Sequence, residues 1–136
     1  MSKLEVDQVD PQSGTTLTLG TSGDTITVPS GVTLDTRTSF WQAAQSSNFN
    51  AAASKGYFVD TSSGAVTATL PASPSIGDEI HFVDQKYSFN TNALTVGRNG
   101  SNIARASSDL VVNTQGAAFC LVFSGDATTG WTYKDK

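Results

Sequence analysis

The stretch Thr-Thr-Leu-Thr-Leu-Gly-Thr-Ser-Gly-Asp-Thr-Ile-Thr-Val-Pro-Ser-Gly-Val-Thr-Leu, residues 15–34, decides the fold predicted for this chain. It contains three pieces with the pattern apolar-Thr-apolar, at residues 17–19, 26–28 and 32–34, separated by turn residues. Alternation of apolar and polar residues is the period of a β-strand, so each piece offers one apolar face about two residues long. The stretch therefore predicts a series of very short strands.

Strands this short do not hold a fold by themselves. Burying a Leu, Ile or Val side chain gains roughly 1.5 to 3 kcal/mol, whereas fixing the backbone costs about 1 to 2 kcal/mol per residue. The stretch therefore needs partners from outside itself. Identical copies around a symmetry axis supply them, because a closed homo-oligomer buries the same short face several times over. We therefore expect this chain to associate with itself.

Composition indicates an all-β protein of modest size. The 136 residues, of which 38% are apolar, suffice for one domain and an appendage. The net charge is −4 and the eight Lys and Arg residues are scattered, which argues against nucleic acid or an anionic membrane as partner. Only 15% of residues are charged, and the abundance of Thr, Ser, Gly and Asn suits strand faces and tight turns. Residues 1–7 lack an uninterrupted apolar stretch, so neither a signal peptide nor a membrane span is predicted.

The C-terminal part carries the pattern of a β-sandwich or small barrel. From residue 55 onward, short alternating segments recur at fairly even spacing between turn residues. Asn99 and Gly100 favour the positive φ angles of a hairpin turn, which predicts that the strand around Val96 pairs with the one around Ile103. The predicted strands lie near residues 57–60, 66–70, 79–83, 94–96, 103, 110–112, 117–123 and 131–133.

Residues 38–54 lose the period of two and are interpreted as a connector. Phe40, Trp41, Ala44 and the alanines at 51–53 are typical of short helical turns. The two aromatic residues are expected to pack against a neighbouring chain or the following domain, because two exposed aromatic side chains would form an apolar patch that promotes association.

The residues that commonly carry catalysis are sparse in this sequence. His81 is the single histidine, and its neighbours Ile80 and Phe82 point to the other face of a strand, which places His81 on a solvated sheet face. Cys120 is the single cysteine; it lies in an apolar run and is predicted to be a small buried residue rather than a nucleophile. The wide separation of His81 and Cys120 along the chain offers no zinc-ligand spacing. No catalytic residue, cofactor or metal is predicted.

Carboxylates and aromatic residues are the side chains that a sugar-related role would use. A glycosidase needs a pair of acidic residues, but the acidic residues here lie where strands meet turns, which favours capping of the turn backbone. They are Asp60, Asp78, Glu79, Asp84, Asp109 and Asp126. Aromatic rings can stack on sugars, and Tyr57, Tyr87 and Trp131 are candidates for this contact. The candidate surface-recognition residues are Tyr87, Asn99, Asp126 and Trp131.

Several blocks of the sequence resemble virion structural proteins of tailed phages from marine bacteria, often labelled tail-fibre proteins. The opening residues 3–20, together with Asp-Thr-Ile-Thr-Val-Pro-Ser-Gly-Val-Thr-Leu at 24–34, are similar to the start of such proteins. Residues 59–66, 70–78 and 98–103 are similar to the β domain that follows in them. The resemblance implies trimers in which the short strands wind into a stalk. Its motifs are turn and strand signatures, so it assigns no functional residue.

The resemblance leaves two placements in the virion open. Long tail fibres usually begin with an anchoring domain, whereas this sequence begins almost at once with the short strands. The chain is therefore expected to be either a short tail fibre or fibre tip, or a trimeric decoration protein that cements the capsid. Two rivals from other classes are a monomeric carbohydrate-binding module and a small polysaccharide-degrading enzyme.

The sequence as a whole predicts a non-enzymatic, homotrimeric, all-β virion protein. It divides into an extended arm at 1–14, a stalk at 15–37, a connector at 38–54 and a β domain at 55–136. The expected partners are identical copies and either tail proteins or the major capsid protein, with a host-surface glycan as candidate ligand; nucleic acid and membrane insertion are not expected. The expected location is the virion, assembled in the host cytoplasm. The residues predicted to face the three-fold axis are Leu17, Leu19, Ile26, Val28, Val32 and Leu34.

Overall fold

A computed structural model describes residues 40–135 and, before them, residues 18, 22–25, 27, 30 and 31. The arm at 1–14 lies outside the described residues, and so do the six residues predicted to face the trimer axis, which are Leu17, Leu19, Ile26, Val28, Val32 and Leu34. The account of the fold therefore concerns the compact unit Arg37–Lys136.

Within residues 40–135 the chain forms nine β-strands and no helix. The prediction of an all-β fold is confirmed. A five-stranded sheet has the order β1-β3-β5-β8-β9, and a four-stranded sheet has the order β2-β4-β6-β7. The strands are β1 Trp41–Gln45, β2 Phe49–Asn50, β3 Lys55–Val59, β4 Val66–Thr69, β5 Glu79–Asp84, β6 Leu94–Gly97, β7 Leu110–Val112, β8 Ala118–Phe123 and β9 Trp131–Asp135. No helix in the described part of the chain has the length and apolar character needed to cross a membrane.

From β1 to β6 the chain changes sheet at every step. Two consecutive strands, one in each sheet, form what we call a coil. The three coils are β1 with β2, β3 with β4, and β5 with β6. Successive coils pair in parallel in both sheets. Backbone hydrogen bonds continue this pairing beyond the strands, with Asp60 N donating to Gln45 O at 2.8 Å and Leu70 N donating to Gly97 O at 2.8 Å. The antiparallel strands β7, β8 and β9 then complete the two sheets.

The hydrophobic core lies between the sheets. Alternate residues of each strand point inward because the side chains of a strand alternate between its two faces. In β5, for example, Ile80, Phe82 and Asp84 are buried, whereas Glu79 and His81 lie on the outer face and are partly exposed. The largest fully buried side chains are Trp131, Phe82, Phe89, Leu70, Ile80, Leu94 and Leu121.

The prediction of short helical turns in the connector at 38–54 is wrong. Trp41–Gln45 and Phe49–Asn50 are strands that pair in parallel with β3 and β4. The hydrogen bonds offered by these neighbouring strands override the weak helix preference of the alanines. Both segments belong to the sheets, so the β domain begins before the predicted boundary at residue 55.

The predicted hairpin between Val96 and Ile103 is also wrong. Asn99 and Gly100 have the expected positive φ angles of 46° and 97°, so the turn itself is present. However, β6 pairs with β7, and Ile103 instead forms bridges with Ala106 and Trp131. Ile103 is buried, and this burial draws the loop after the turn into the core rather than back along β6.

Asp84 ties two loops to the end of β5. Its side chain is 2% exposed and accepts hydrogen bonds from three backbone N–H groups, those of Ser88 at 3.0 Å, Phe89 at 3.1 Å and Gly116 at 3.0 Å. Buried backbone donors carry a large cost if they are left without an acceptor. Asp84 therefore closes the loops that precede β6 and β8.

Replacing Asp84 by alanine is expected to lower the free energy of unfolding by about 2 to 4 kcal/mol, because it leaves these donors without their acceptor. Denaturant unfolding measures the loss. The matched control is Asp109→Ala, since Asp109 is exposed and accepts one backbone hydrogen bond, from Arg98 at 2.9 Å. The control is expected to lose much less stability, and equal losses in the two variants would contradict the role assigned to Asp84.

Candidate functional site

The outer face of the five-stranded sheet carries a row of residues at one level. Strand pairing places Trp41 of β1 beside Gly56 of β3, Gly56 beside His81 of β5, His81 beside Cys120 of β8, and Cys120 beside Asp135 of β9. The row thus crosses the whole sheet, on the side opposite the core.

Aromatic rings cover one end of this row. The Trp41 ring stacks on Phe58 with a centroid separation of 4.7 Å, and the Phe40 ring meets the His81 ring edge to face at 5.0 Å. Gly56 makes room for them, because a Cβ atom there would lie 2.5 Å from Trp41 Cε3 and 2.8 Å from Phe40 Cε1. We call Phe40, Trp41, Phe58 and His81 the aromatic patch. It remains partly open, with Phe40 38% and Trp41 42% exposed.

Three groups with metal-binding or acid–base chemistry meet beside the aromatic patch. His81 Nε2 lies 3.3 Å from Cys120 Sγ and 3.7 Å from Glu79 Oε2. We call these residues the Glu79–His81–Cys120 cluster. Lys134 Nζ donates hydrogen bonds to both oxygens of the Glu79 carboxylate, at 2.8 Å and 3.0 Å.

Burial and the neighbouring charges set the ionisation of the cluster. Burial, assisted by the negative charge of Glu79, raises the pKa of the Cys120 thiol, so Cys120 is a protonated thiol at neutral pH. The hydrogen bond from Lys134 lowers the pKa of Glu79, and the same bond raises the pKa of Lys134. Glu79 and Lys134 are therefore both charged at neutral pH.

The arrangement does not have the geometry of a catalytic triad. In a triad the acid binds one imidazole nitrogen and the nucleophile binds the other, so that the proton moves across the ring. Here Glu79 and Cys120 both approach the same nitrogen, Nε2 of His81. The ligand atoms of the three residues lie within 4.8 Å of one another, a spacing that one metal ion can bridge.

The structure separates the candidate surface-recognition residues. Tyr87 is 66% exposed in the loop before β6, whereas Asn99 is exposed in the loop after β6, so the two mark opposite ends of that strand. Asp126 is also exposed, and its loop joins that of Asn99 because Asn102 Nδ2 donates to the carbonyls of Ala127 and Thr128 at 3.2 Å and 3.0 Å.

The assignment of Trp131 to surface recognition is wrong. Trp131 is 0% exposed and packs against Phe123 at 5.5 Å between ring centroids. Trp131 is the first residue of β9, and its side chain points to the inner face of the sheet. Its ring therefore fills the core and does not face a ligand. Tyr57, the other strand residue considered for sugar stacking, is buried as well.

The acidic residues mostly cap turns, as predicted. Their carboxylates accept hydrogen bonds from nearby backbone N–H groups, which satisfies donors that the turns leave unpaired. The five residues that do so are Asp60, Asp78, Asp84, Asp109 and Asp126. Glu79 is the exception, since its carboxylate binds Lys134 on the outer face of the sheet.

The Asp126 cap makes the stability of its loop depend on pH. The hydrogen bonds from Thr129, whose backbone N lies 2.6 Å from Asp126 Oδ1, lower the pKa of the carboxyl in the folded state. A lowered folded-state pKa gives stability that is present above the unfolded value of about 3.9 and is lost as the pH falls through the folded value.

The substitution Asp126→Asn is therefore expected to destabilise the protein at neutral pH and to have little effect in acid. The difference in unfolding free energy between the two proteins should stay constant above about pH 5 and shrink as the pH falls through the lowered folded-state pKa of Asp126. Denaturant titrations across this range measure it. A difference that persists unchanged in acid would show that the charge of Asp126 is not what stabilises the loop.

The Glu79–His81–Cys120 cluster was not predicted from the sequence. His81 was correctly expected on the solvated face and Cys120 was correctly expected to be buried. What brings them together is the antiparallel pairing of β5 with β8, in which they stand directly opposite. β5 alternates apolar and polar residues whereas β8 is apolar throughout, so the two segments carry no common pattern that marks them as partners.

In comparisons with known proteins, no family model and no curated protein matches this chain. The function is therefore argued from the described geometry and from the pattern of the sequence.

Proposed function

We propose that this chain is a non-enzymatic, homotrimeric structural protein of a phage virion. In this proposal it forms a surface appendage, either a short tail fibre or the tip of one. Its partners are two identical copies and the tail proteins that carry it, with a host-surface glycan as candidate ligand. It is assembled in the host cytoplasm and functions in the virion.

The partly exposed side chains of Phe40 and Trp41, at the start of the edge strand β1, are the observation that carries the proposal. β1 is an edge strand of the five-stranded sheet, and an uncovered edge with large apolar side chains invites association with another chain. Phe40 follows Leu34, the last predicted axis residue, by only a few positions in the sequence. In the proposed trimer each copy contributes this apolar surface, and its burial would favour association.

The stacked coils suit a mechanical role. Parallel pairing of successive coils continues from strand to strand and through the intervening turns, so the domain is hydrogen-bonded across its width. Buried residues such as Phe89 and Ile103 anchor the loops at the ends of β6 to the core, while the tips of these loops remain exposed. The exposed loops around Tyr87, Asn99 and Asp126 are the surfaces we assign to contact with other virion proteins or a host glycan.

Electron microscopy of purified particles tests the proposal. A short peptide tag is placed at the C-terminus of the chain and labelled with gold-conjugated antibody, with untagged particles as the control. The proposal predicts label at the tail. Label distributed over the head would identify a capsid-decoration protein instead, and particles without label would contradict a place in the virion.

A further inference from the structure

We propose that the Glu79–His81–Cys120 cluster is a binding site for one Zn²⁺ ion. The three side chains supply a carboxylate oxygen, an imidazole nitrogen and a sulfur, which are the three ligand types that zinc takes from proteins. The proposal concerns the outer face of the β domain and is independent of the role proposed for the virion.

The distances between the ligand atoms fit a tetrahedral ion. Zinc bonds of about 2.3 Å to sulfur and about 2.0 to 2.2 Å to nitrogen and oxygen separate neighbouring ligand atoms by about 3.3 to 3.6 Å. Here Nε2 of His81 lies 3.3 Å from Cys120 Sγ and 3.7 Å from Glu79 Oε2, and the three atoms all lie within 4.8 Å of one another.

Strand pairing and two neighbouring side chains position the ligands. Glu79 and His81 lie two positions apart on the same face of β5, and Cys120 stands opposite His81 on β8. The Phe40 ring packs against the His81 imidazole, and Lys134 holds the Glu79 carboxylate from the side. Such outer contacts orient ligands and strengthen binding, and each carboxylate oxygen keeps a lone pair for the ion after it accepts from Lys134.

A fourth position is open beside the cluster. A shallow cavity of about 300 Å³ lies over the row and is lined by Trp41, His81, Cys120 and Asp135, among others. Asp135 pairs with Cys120 in the sheet and stands at the edge of this cavity. It offers a second carboxylate, and a water molecule is the alternative fourth ligand of a three-residue zinc site.

Binding of the ion releases a proton. Coordination replaces the S–H bond of Cys120 with an S–Zn bond, and the thiol proton passes to solvent. The resulting thiolate and the Glu79 carboxylate then bring two negative charges to the ion, beside the positive charge of Lys134.

Binding of Zn²⁺ to the full-length, tag-free chain tests the inference. After treatment with chelator, the protein is titrated with Zn²⁺ by calorimetry at neutral pH and separately with Co²⁺ in an absorption spectrometer. The expected results are saturation at one ion per chain and, with Co²⁺, a near-ultraviolet thiolate charge-transfer band with the visible bands of a tetrahedral ion. An absence of saturable Zn²⁺ binding, or a Co²⁺ spectrum without the thiolate band, would overturn the inference.

Variants identify the ligands. His81→Asn and Cys120→Ser are each expected to weaken Zn²⁺ binding by at least about 100-fold. Asp60→Asn is the control, because Asp60 is a partly exposed carboxylate that binds Ser62 in a turn outside the cluster, and its change is expected to leave Zn²⁺ binding unchanged. His81 is partly exposed, so His81→Asn retains the fold even if the buried Cys120→Ser change does not. Tight binding by His81→Asn would refute the site.

Zn²⁺ should also stabilise the folded chain. A ligand that binds the folded state alone stabilises it by about 2.7 kcal/mol at a free concentration of 100 times its Kd. The melting temperature of the natural protein is therefore expected to rise with Zn²⁺, while that of His81→Asn stays constant. A rise of the same size in both proteins would point to binding elsewhere and count against the cluster.

Discussion

Replacing Ile26 by aspartate is expected to dissociate the homotrimer into monomers. Ile26 is predicted to face the three-fold axis, so the change would bring three carboxylates together in an apolar environment. Burying an unpaired charge costs far more than the few kcal/mol that a short strand contributes, and like charges at one axis repel each other. Light scattering coupled to size-exclusion chromatography measures the mass of the variant.

The control for this prediction is Thr27→Asp. Thr27 is the next residue along the predicted strand, so its side chain points to the opposite face and the new carboxylate remains in water. This variant is expected to stay trimeric. An Ile26→Asp protein that remains fully trimeric would contradict the predicted axis, and dissociation of both variants would show that the effect does not depend on the face.

Replacing Trp131 by alanine is expected to lower the free energy of unfolding by about 3 to 5 kcal/mol. Trp131 is fully buried, packs against Phe123 and bridges to Ile103, so the change leaves a large cavity where the last strand joins the core. Trp131→Phe should lose less, because a ring remains and the indole N–H of Trp131 has no hydrogen-bond partner among the described residues. Denaturant unfolding at one fixed protein concentration measures both losses.

Trp41→Ala is the matched control, since the other tryptophan lies on the outer face and is 42% exposed. Its removal should cost less than that of Trp131, because the Trp41 ring is already partly in water and its loss leaves no enclosed cavity. A loss as large as that of Trp131→Ala would mean that the aromatic patch, and not the space between the sheets, is the main core of the domain.

Strands with one buried face were predictable from the sequence. Val66, Ala68 and Leu70 alternate with threonines, and in the structure all three are buried while Thr67 and Thr69 are only partly so. Ile80 and Phe82 follow the same rule around His81. The alternation of apolar and polar residues is visible in a sequence because burial of one strand face selects an apolar residue at every second position.

The pairing of the strands was not predictable in the same way. Parallel pairing of β3 with β5 joins residues far apart in sequence, and no local pattern specifies such a partner. β1 and β2 lack the alternation altogether and become strands because β3 and β4 offer them hydrogen bonds. The turn at Asn99 was predicted correctly, whereas the partner of its strand was not.

For the candidate site, too, the sequence indicates which residues share a strand face but not which strands pair. Alternation shows that Trp131 and Thr132 face opposite ways, but it does not say which of the two sides is the core, and Trp131 proved to be inside. His81 was placed on the outer face from its apolar neighbours alone. That Cys120 and Glu79 share its surroundings follows from sheet register, which depends on contacts between strands and not on any single segment.

Sedimentation equilibrium of the purified full-length chain in dilute solution tests the self-association on which the account depends. The account predicts a single species with three times the chain mass of 14.2 kDa, stable on dilution. A compact, well-ordered species with the mass of one chain would contradict it.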